Sequence, residues 1–191
     1  MAKSQSPDLD EIREVLADIE RDDRRASEVI RRLRSYVSKA PFETKEFHLN
    51  GLVAETLDFL SSQARSRNIV LRSELAGTPL PIKGDPIQLQ QVLSNLILNA
   101  MDAVSDCAPS GRAVTVTSAR NEKFAEVSVA DTGPGIPPEA LKAIFEPFFS
   151  TKKHGMGMGL SIARTIVAAH GGRIEAENRN GAVLRMRLPL A

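Results

Sequence analysis

The chain has 191 residues, with 25 Lys+Arg against 24 Asp+Glu, one Cys and three His. That length fits one globular domain of roughly 100–200 residues with an appendage, and the net charge of +1 lacks the basic excess of a nucleic-acid binder. A single Cys excludes a disulfide framework and any Cys-based zinc cluster, no apolar run approaches the ~18–20 residues of a membrane span, and the start MAKSQSPDLDE lacks the apolar stretch of a signal peptide, so a cytoplasmic location is expected.

Residues 1–40 stand apart, with nine basic and nine acidic residues, no Gly and one Pro at position 7. Leu9, Ile12, Leu16, Ile19, Ala26, Ile30, Leu33 and Val37 recur at alternating steps of three and four, with Asp23 at the one missing position. This is a heptad stripe over about four repeats. It predicts a long helix over residues 8–40 that packs on partner helices and drives homo-oligomers, because so narrow a seam is thin for packing on its own domain. Pro41 ends it.

Residues 46–49 read as a short strand, and Asn50 as the cap of a helix reaching about Arg67. Residues 69–75 have strand composition, closed by Gly77 and Pro79. Pro86 suits the first position of a helix running to about Asp106. Residues 113–117 and 125–129 form antiparallel strands around a turn at Asn121. A Gly/Pro-rich stretch from Asp131 to Gly159 holds one short helix near residues 138–144. A helix over residues 160–170 ends at Gly171-Gly172, where a cationic His170 would complement the helix C-terminus. Two last strands, 173–177 and 182–188, turn at Asn180-Gly181. Strands cluster with helices between them and without repeated βαβ units, so the class is α+β.

Three places carry chemistry. On the helix 86–106, Leu89, Leu93, Leu96, Ala100 and Val104 form the apolar stripe, while Gln88, Gln91, Asn95, Asn99 and Asp102 line another face. Two Asn one turn apart are poor helix formers in a strong helix; they form either a solvated face or a hard neutral ligand set suited to Mg²⁺. Asp131-Thr132-Gly133-Pro134-Gly135-Ile136 follows a strand directly. It is either an ordinary turn or a carboxylate beside open backbone that accepts the exocyclic amine of a flat heterocycle. Gly155, Gly157 and Gly159 alternate before Leu160 opens a helix, with Lys152 and Lys153 upstream. That arrangement is either a hinge or a phosphate cradle at a helix N-terminus; it matches neither a Walker A loop nor a dinucleotide fingerprint.

In this order and spacing, the chain resembles the ATP-binding catalytic domain of sensor histidine kinases of two-component systems. These belong to the GHKL superfamily, shared with gyrase and the heat-shock chaperone ATPases. The N box matches Asn95-Leu-Ile-Leu-Asn99-Ala100 and the G1 box matches Asp131 to Ile136. The F box matches the run from Ile144 to Lys152, and the G2 box matches Gly155-Met-Gly157-Met-Gly159-Leu160. The resemblance covers residues 46–189 and looks most like the PAS-linked kinases. It implies a Bergerat-type α/β sandwich, a mixed sheet backed by three helices, with ATP under a mobile lid. By position, Asp131 would bind the adenine amine, with Gly133, Gly135 and Ile136 beside it. Asn99 would hold Mg²⁺ with Asn95 next to it, and Gly155, Gly157, Gly159 and Leu160 would line the phosphates with Lys152 in contact.

Hydrolysing members of the superfamily resemble one another in a Glu four residues before the metal-binding Asn. Here that residue is Asn95, and an amide is no general base near neutral pH, which argues for the kinase branch. The kinase's phosphoacceptor is normally a His followed by an acid on the first of two dimerisation helices. His48, His154 and His170 do not fit that pattern. The helix 8–40 resembles the second dimerisation helix, so the reading is a kinase core without its acceptor, with a response regulator as partner of the intact kinase. Residues 41–191 would then be the catalytic domain. The alternatives are a non-catalytic interaction module with a vestigial pocket, or a slow ATPase.

Overall fold

The computed structural model describes residues 43–152 and 157–191, all within one compact unit, Glu43–Ala191. The expected helix over residues 8–40, with His154 and Gly155, lies outside the described residues.

Strand β1 (Lys45–His48) leads directly into helix α1 (Leu49–Ser66). Asn50 does not cap α1. The N-cap is His48, with extended backbone and no side-chain bond to the helix, while the Leu49 N–H donates to Leu80 O at 2.9 Å. Asn50 sits in the first turn and faces the sheet, donating to Ala76 O at 2.8 Å and accepting from Ser118 Oγ at 2.7 Å. A side chain with long-range partners of this kind is diverted from local capping.

Strand β2 (Val70–Glu74) precedes β3 (Pro81–Gly84), which pairs antiparallel with β1 to form a separate two-stranded sheet. Helix α2 (Pro86–Val104) starts as its sequence predicts. Asp85 Oδ1 accepts from Ile87 N and Gln88 N at 2.9 and 3.2 Å, and Pro86 fills a first-turn position where no N–H is needed. Leu89, Leu93, Leu96, Ala100 and Val104 are all buried, as a 3.6-residue period requires. The helix stops at Val104, with Ser105 as its C-cap, short of Asp106.

Strands β4 (Ala113–Asn121) and β5 (Phe124–Asp131) form the expected hairpin, but the turn is at Glu122 and Lys123. Asn121 still pairs with Phe124, and Glu122 takes φ +46. The expected helix near 138–144 is instead a set of turns ending in a 3₁₀ turn, Ala143–Phe145. Pro137 and Pro138 open the stretch and Pro147 closes it; without their N–H groups a regular helix has little room.

Helix α3 (Gly159–Ala169) is followed by β6 (Arg173–Asn178) and β7 (Ala182–Pro189). The main sheet runs β2-β4-β5-β7-β6. β2 and β4 are parallel, joined through β3 and α2, and the remaining pairs are antiparallel. Alternate residues Val114 and Val116, Val127 and Val129, and Leu184, Met186 and Leu188 are buried. α1 packs on β2, α2 on β4 and β5, and α3 on β6 and β7, with α2 touching both other helices. The opposite face carries a crosswise ladder. Arg185 pairs with Glu126 and Glu177 at 3.1 and 2.8 Å, and Arg187 with Glu126 and Glu175 at 2.7 and 3.3 Å. The fold is α+β, three helices on one face of a mixed sheet. Among the described residues no helix is long and apolar enough to cross a membrane.

Candidate functional site

α2 presents Asn95, Asn99 and Asp102 about one turn apart, the two amides half-buried. Asn95 Nδ2 donates to Gly159 O, the first residue of α3, and Asn95 Oδ1 accepts from Asn99 Nδ2 at 3.3 Å. A Cβ on Gly159 would lie 2.6 Å from Asn95 Oδ1, so a larger residue there would displace the Asn95 carboxamide. Lys152 Nζ reaches Asn99 Oδ1 at 3.3 Å and Asp102 Oδ2 at 2.8 Å. Arg67 Nη1 occupies the other Asp102 oxygen at 2.8 Å. Two oxygens of α2 thus already hold a cation. Gln91 departs from this group and lines a separate shallow groove with Phe59 and Ile87.

Asp131 closes β5 with its carboxyl buried. Oδ1 accepts from Gly133 N at 2.8 Å and Ala182 N at 3.2 Å, while Oδ2 makes no hydrogen bond among the described residues. Burial pushes this carboxyl above its ordinary value of 3.8, and the two backbone N–H groups pull it partly back. Gly133 lies against Ala103 O, which places the loop beside α2 one turn beyond Asn99. Gly135 takes φ +78. Ile136 N donates to Asn178 Oδ1 at 2.9 Å, and Asn178 Nδ2 donates to Ile136 O at 2.6 Å.

The segment after this loop folds back on α3. Phe145 is buried, Phe149 packs against the core, and Phe148 is exposed with φ +66. Glu146 Oε1 accepts from both Arg164 guanidinium nitrogens at 3.2 Å. Gly157 lies against the Phe148–Phe149 backbone, and Leu160 packs against the core.

The structure therefore joins Asn95, Asn99, Lys152 and Gly159 directly, and gathers Asp131, Gly133, Gly135 and Ile136 into a second linked group beside the same helix. Gly155 lies outside the described residues. Sequence reasoning missed Asn178 and Ala182, which carry no local motif. It also misread His170: Nε2 accepts from Asp85 N at 2.9 Å while Nδ1 lies 2.8 Å from Ile166 O. That pairing needs the neutral Nδ1–H tautomer, so His170 is a buried clasp between α3 and the start of α2. His48 is exposed on β1.

A buried carboxylate at the end of β5, a polar helix face holding a cation, and a glycine-opened helix N-terminus suit a nucleotide with its base at one end and phosphates at the other. Residues 84–191 match the family model of histidine kinase-, DNA gyrase B- and HSP90-like ATPases. The chain is 37% identical over its full length to the sensor protein FixL of Bradyrhizobium diazoefficiens, of which it spans 38%. It is 36% identical over 98% of its length to the sensor histidine kinase TmoS of Ectopseudomonas mendocina, of which it spans 20%. Among solved structures it resembles the nucleotide-free catalytic domain of histidine kinase ThkA, with TM-score 0.70 and 39% identity over 78% of this chain and 96% of that one. ThkA in complex with the response regulator TrrA aligns at TM-score 0.80 and 31% identity, covering 99% of this chain and 54% of that one. The chain belongs to the histidine kinase-, DNA gyrase B- and HSP90-like ATPase family, in its sensor histidine kinase branch.

Proposed function

We propose that the described domain binds ATP with Mg²⁺ between α2, the loop after β5 and the start of α3, and donates the γ-phosphoryl group to a histidine that this chain does not carry. The observation that carries this reading is the pair of linked groups flanking α2: the Asp131 carboxylate at one end and the Asn95–Asn99–Lys152–Gly159 cluster at the other.

Each residue has a task in this reading. Asp131 Oδ2 accepts the adenine amine, and the loop of Gly133 to Ile136 keeps its backbone close to the base. The N-terminus of α3, with Gly157, Gly159 and Leu160 and with Gly155 ahead of it, offers N–H groups to the phosphates. Lys152 adds positive charge there. Asn99 Oδ1 fits Mg²⁺: it is a hard oxygen already set against a cation, and Mg²⁺ needs few protein ligands where phosphates supply the rest. Bound Mg²⁺ supplies charge neutralisation across the phosphates. Asn95 cannot act as a general base, which disfavours attack by water. The acceptor imidazole nitrogen forms the P–N bond as the bond from phosphorus to the β–γ bridging oxygen breaks, and ADP leaves.

Neither described histidine is presented as the acceptor, since His170 has both ring nitrogens engaged and His48 stands on β1, in neither of the two linked groups. In this reading residues 8–40 form the second dimerisation helix and self-associate, and the domain boundary falls near residue 41. The near-complete alignment with ThkA, solved with its response regulator, supports a response regulator as the downstream partner. Calorimetric titration with ATP and Mg²⁺ tests the binding: Asn99→Asp and Asp131→Asn should each weaken it, and unchanged affinity in both refutes the site. Labelled ATP alone should leave the chain unlabelled; stoichiometric phosphohistidine on it refutes the external acceptor.

A further inference from the structure

The loop from Thr132 to Pro137 belongs to no strand or helix, yet Ile136 has both backbone polar groups satisfied. Its N–H donates to Asn178 Oδ1 at 2.9 Å and its C=O accepts from Asn178 Nδ2 at 2.6 Å. One carboxamide thereby does the work of a strand's backbone and extends the β6 edge by a single bridge. Few side chains can do this: Asp lacks the donor, Ser lacks the second atom, and Gln is a methylene too long. The approach also needs the adjacent glycine, because a Cβ on Gly135 would stand 3.0 Å from Asn178 Oδ1.

Asn178 stands at the end of the β6–β7 hairpin, where its backbone pairs with Ala182. The Ala182 N–H is one of the two donors to Asp131 Oδ1, at 3.2 Å. Between them, Gly181 packs on the Asp131 backbone. One hairpin turn thus grips both the carboxylate that ends β5 and the loop four to five residues further on. Asn178 and Ala182 thus hold the Ile136 backbone and the Asp131 carboxylate from the same hairpin turn.

We propose that Asn178 is a positioning residue for base selection, which holds the Ile136 backbone at the edge of the adenine slot and so sets the preference for adenine over guanine. This rests on the ATP reading above. Adenine presents an amine where guanine presents a carbonyl, and the Asp131 carboxylate discriminates between them only while the base is held in one plane and one position. Without Asn178, the loop loses its two fixed bonds, and the base can shift relative to the carboxylate.

The test compares the full chain with Asn178→Ala and Asn178→Asp, measuring competition by ATP and by GTP against a fluorescent adenine nucleotide, with thermal unfolding of each variant alongside. Asn178→Asp keeps the acceptor for Ile136 N–H but turns an oxygen toward Ile136 O. In both variants the ATP preference over GTP should fall about tenfold, the scale of one or two ordinary hydrogen bonds, through weaker ATP binding, with GTP binding nearly unchanged. A wild-type preference for ATP that both folded variants retain overturns the proposal, as does equal weakening of both nucleotides. Absence of ATP binding by the wild-type chain overturns instead the functional reading on which it stands.

Discussion

Replacing Asp131 with Asn separates what this residue does for a ligand from what it does for the fold. Oδ1 accepts from Gly133 N and Ala182 N, and the Asn carboxamide oxygen can accept both bonds in the same place. What changes is the second atom, from a charged acceptor to an N–H donor aimed at the base. A hydrogen bond to a charged acceptor contributes about 1.5–3 kcal/mol net, which at ~1.4 kcal/mol per decade predicts roughly a 10- to 150-fold loss of ATP affinity. Donor facing donor places the result toward the upper end.

Stability should move the other way. Burial raises the Asp131 carboxyl above its ordinary 3.8, so the folded state favours the neutral form and binds more protons than the unfolded state between 3.8 and the folded value. The stability tied to this group is fully present below 3.8 and is lost as pH rises through the folded value. The Asp131→Asn substitution replaces a carboxyl whose ionised form burial disfavours with a neutral amide. Urea denaturation of the ligand-free Asp131→Asn protein at pH 7 should show a midpoint equal to or above the wild type, and the wild type should regain ground as pH falls through the raised folded value. A variant with a markedly lower midpoint at pH 7, or with wild-type ATP affinity by calorimetry, would refute the argument.

Lys152→Ala removes an exposed ion pair worth only about 0.2–1 kcal/mol, so the unliganded melting temperature should hardly move. ATP affinity should nonetheless drop about tenfold, consistent with a lost charge-assisted bond; titration of the same sample checks both. Gly159→Ala should give no gain in stability, because its Cβ would stand 2.6 Å from Asn95 Oδ1 and displace that carboxamide. Weaker ATP binding and no rise in melting temperature are the expected readings. His170→Ala leaves the Asp85 N–H without its partner, while Ile166 O keeps the backbone N–H of residue 170; it should cost about 1–3 kcal/mol by urea denaturation, with ATP affinity retained where the variant is folded.

The sequence made legible what local pattern encodes. The apolar period of α2, its Asp85-Pro86 start, and the alternating strands on either side of Lys123 and Asn180 can all be read from neighbours within a few residues. The four motifs fell along the chain in the order the fold uses them. Other features depend on partners far along the chain. β3 escaped notice because Pro-Ile-Lys-Gly between Pro79 and Asp85 looks like a turn, and only pairing with β1 makes it a strand. Asn50 has the composition of a cap, but Ala76 and Ser118 engage it instead. His170 stood where a cation suits a helix end, yet an N–H donated from 85 residues away fixes it as an acceptor. Asn178 bonds across 42 residues, and no periodicity marks such a contact.

Among the described residues the main sheet is open, so β2 and β6 each leave one backbone edge without a strand partner, the arrangement most liable to recruit a strand from a neighbouring molecule. Both edges are guarded. β2 is five residues long and exposes Arg72 and Glu74. β6 and its turn carry Arg173 beside Glu175 and Arg179 beside Glu177, paired at 3.5 and 2.9 Å. A foreign strand would have to strip water from these charges to dock. The margin of the sheet thus carries its own deterrent to edge-to-edge pairing, built from charges that are costly to strip of water.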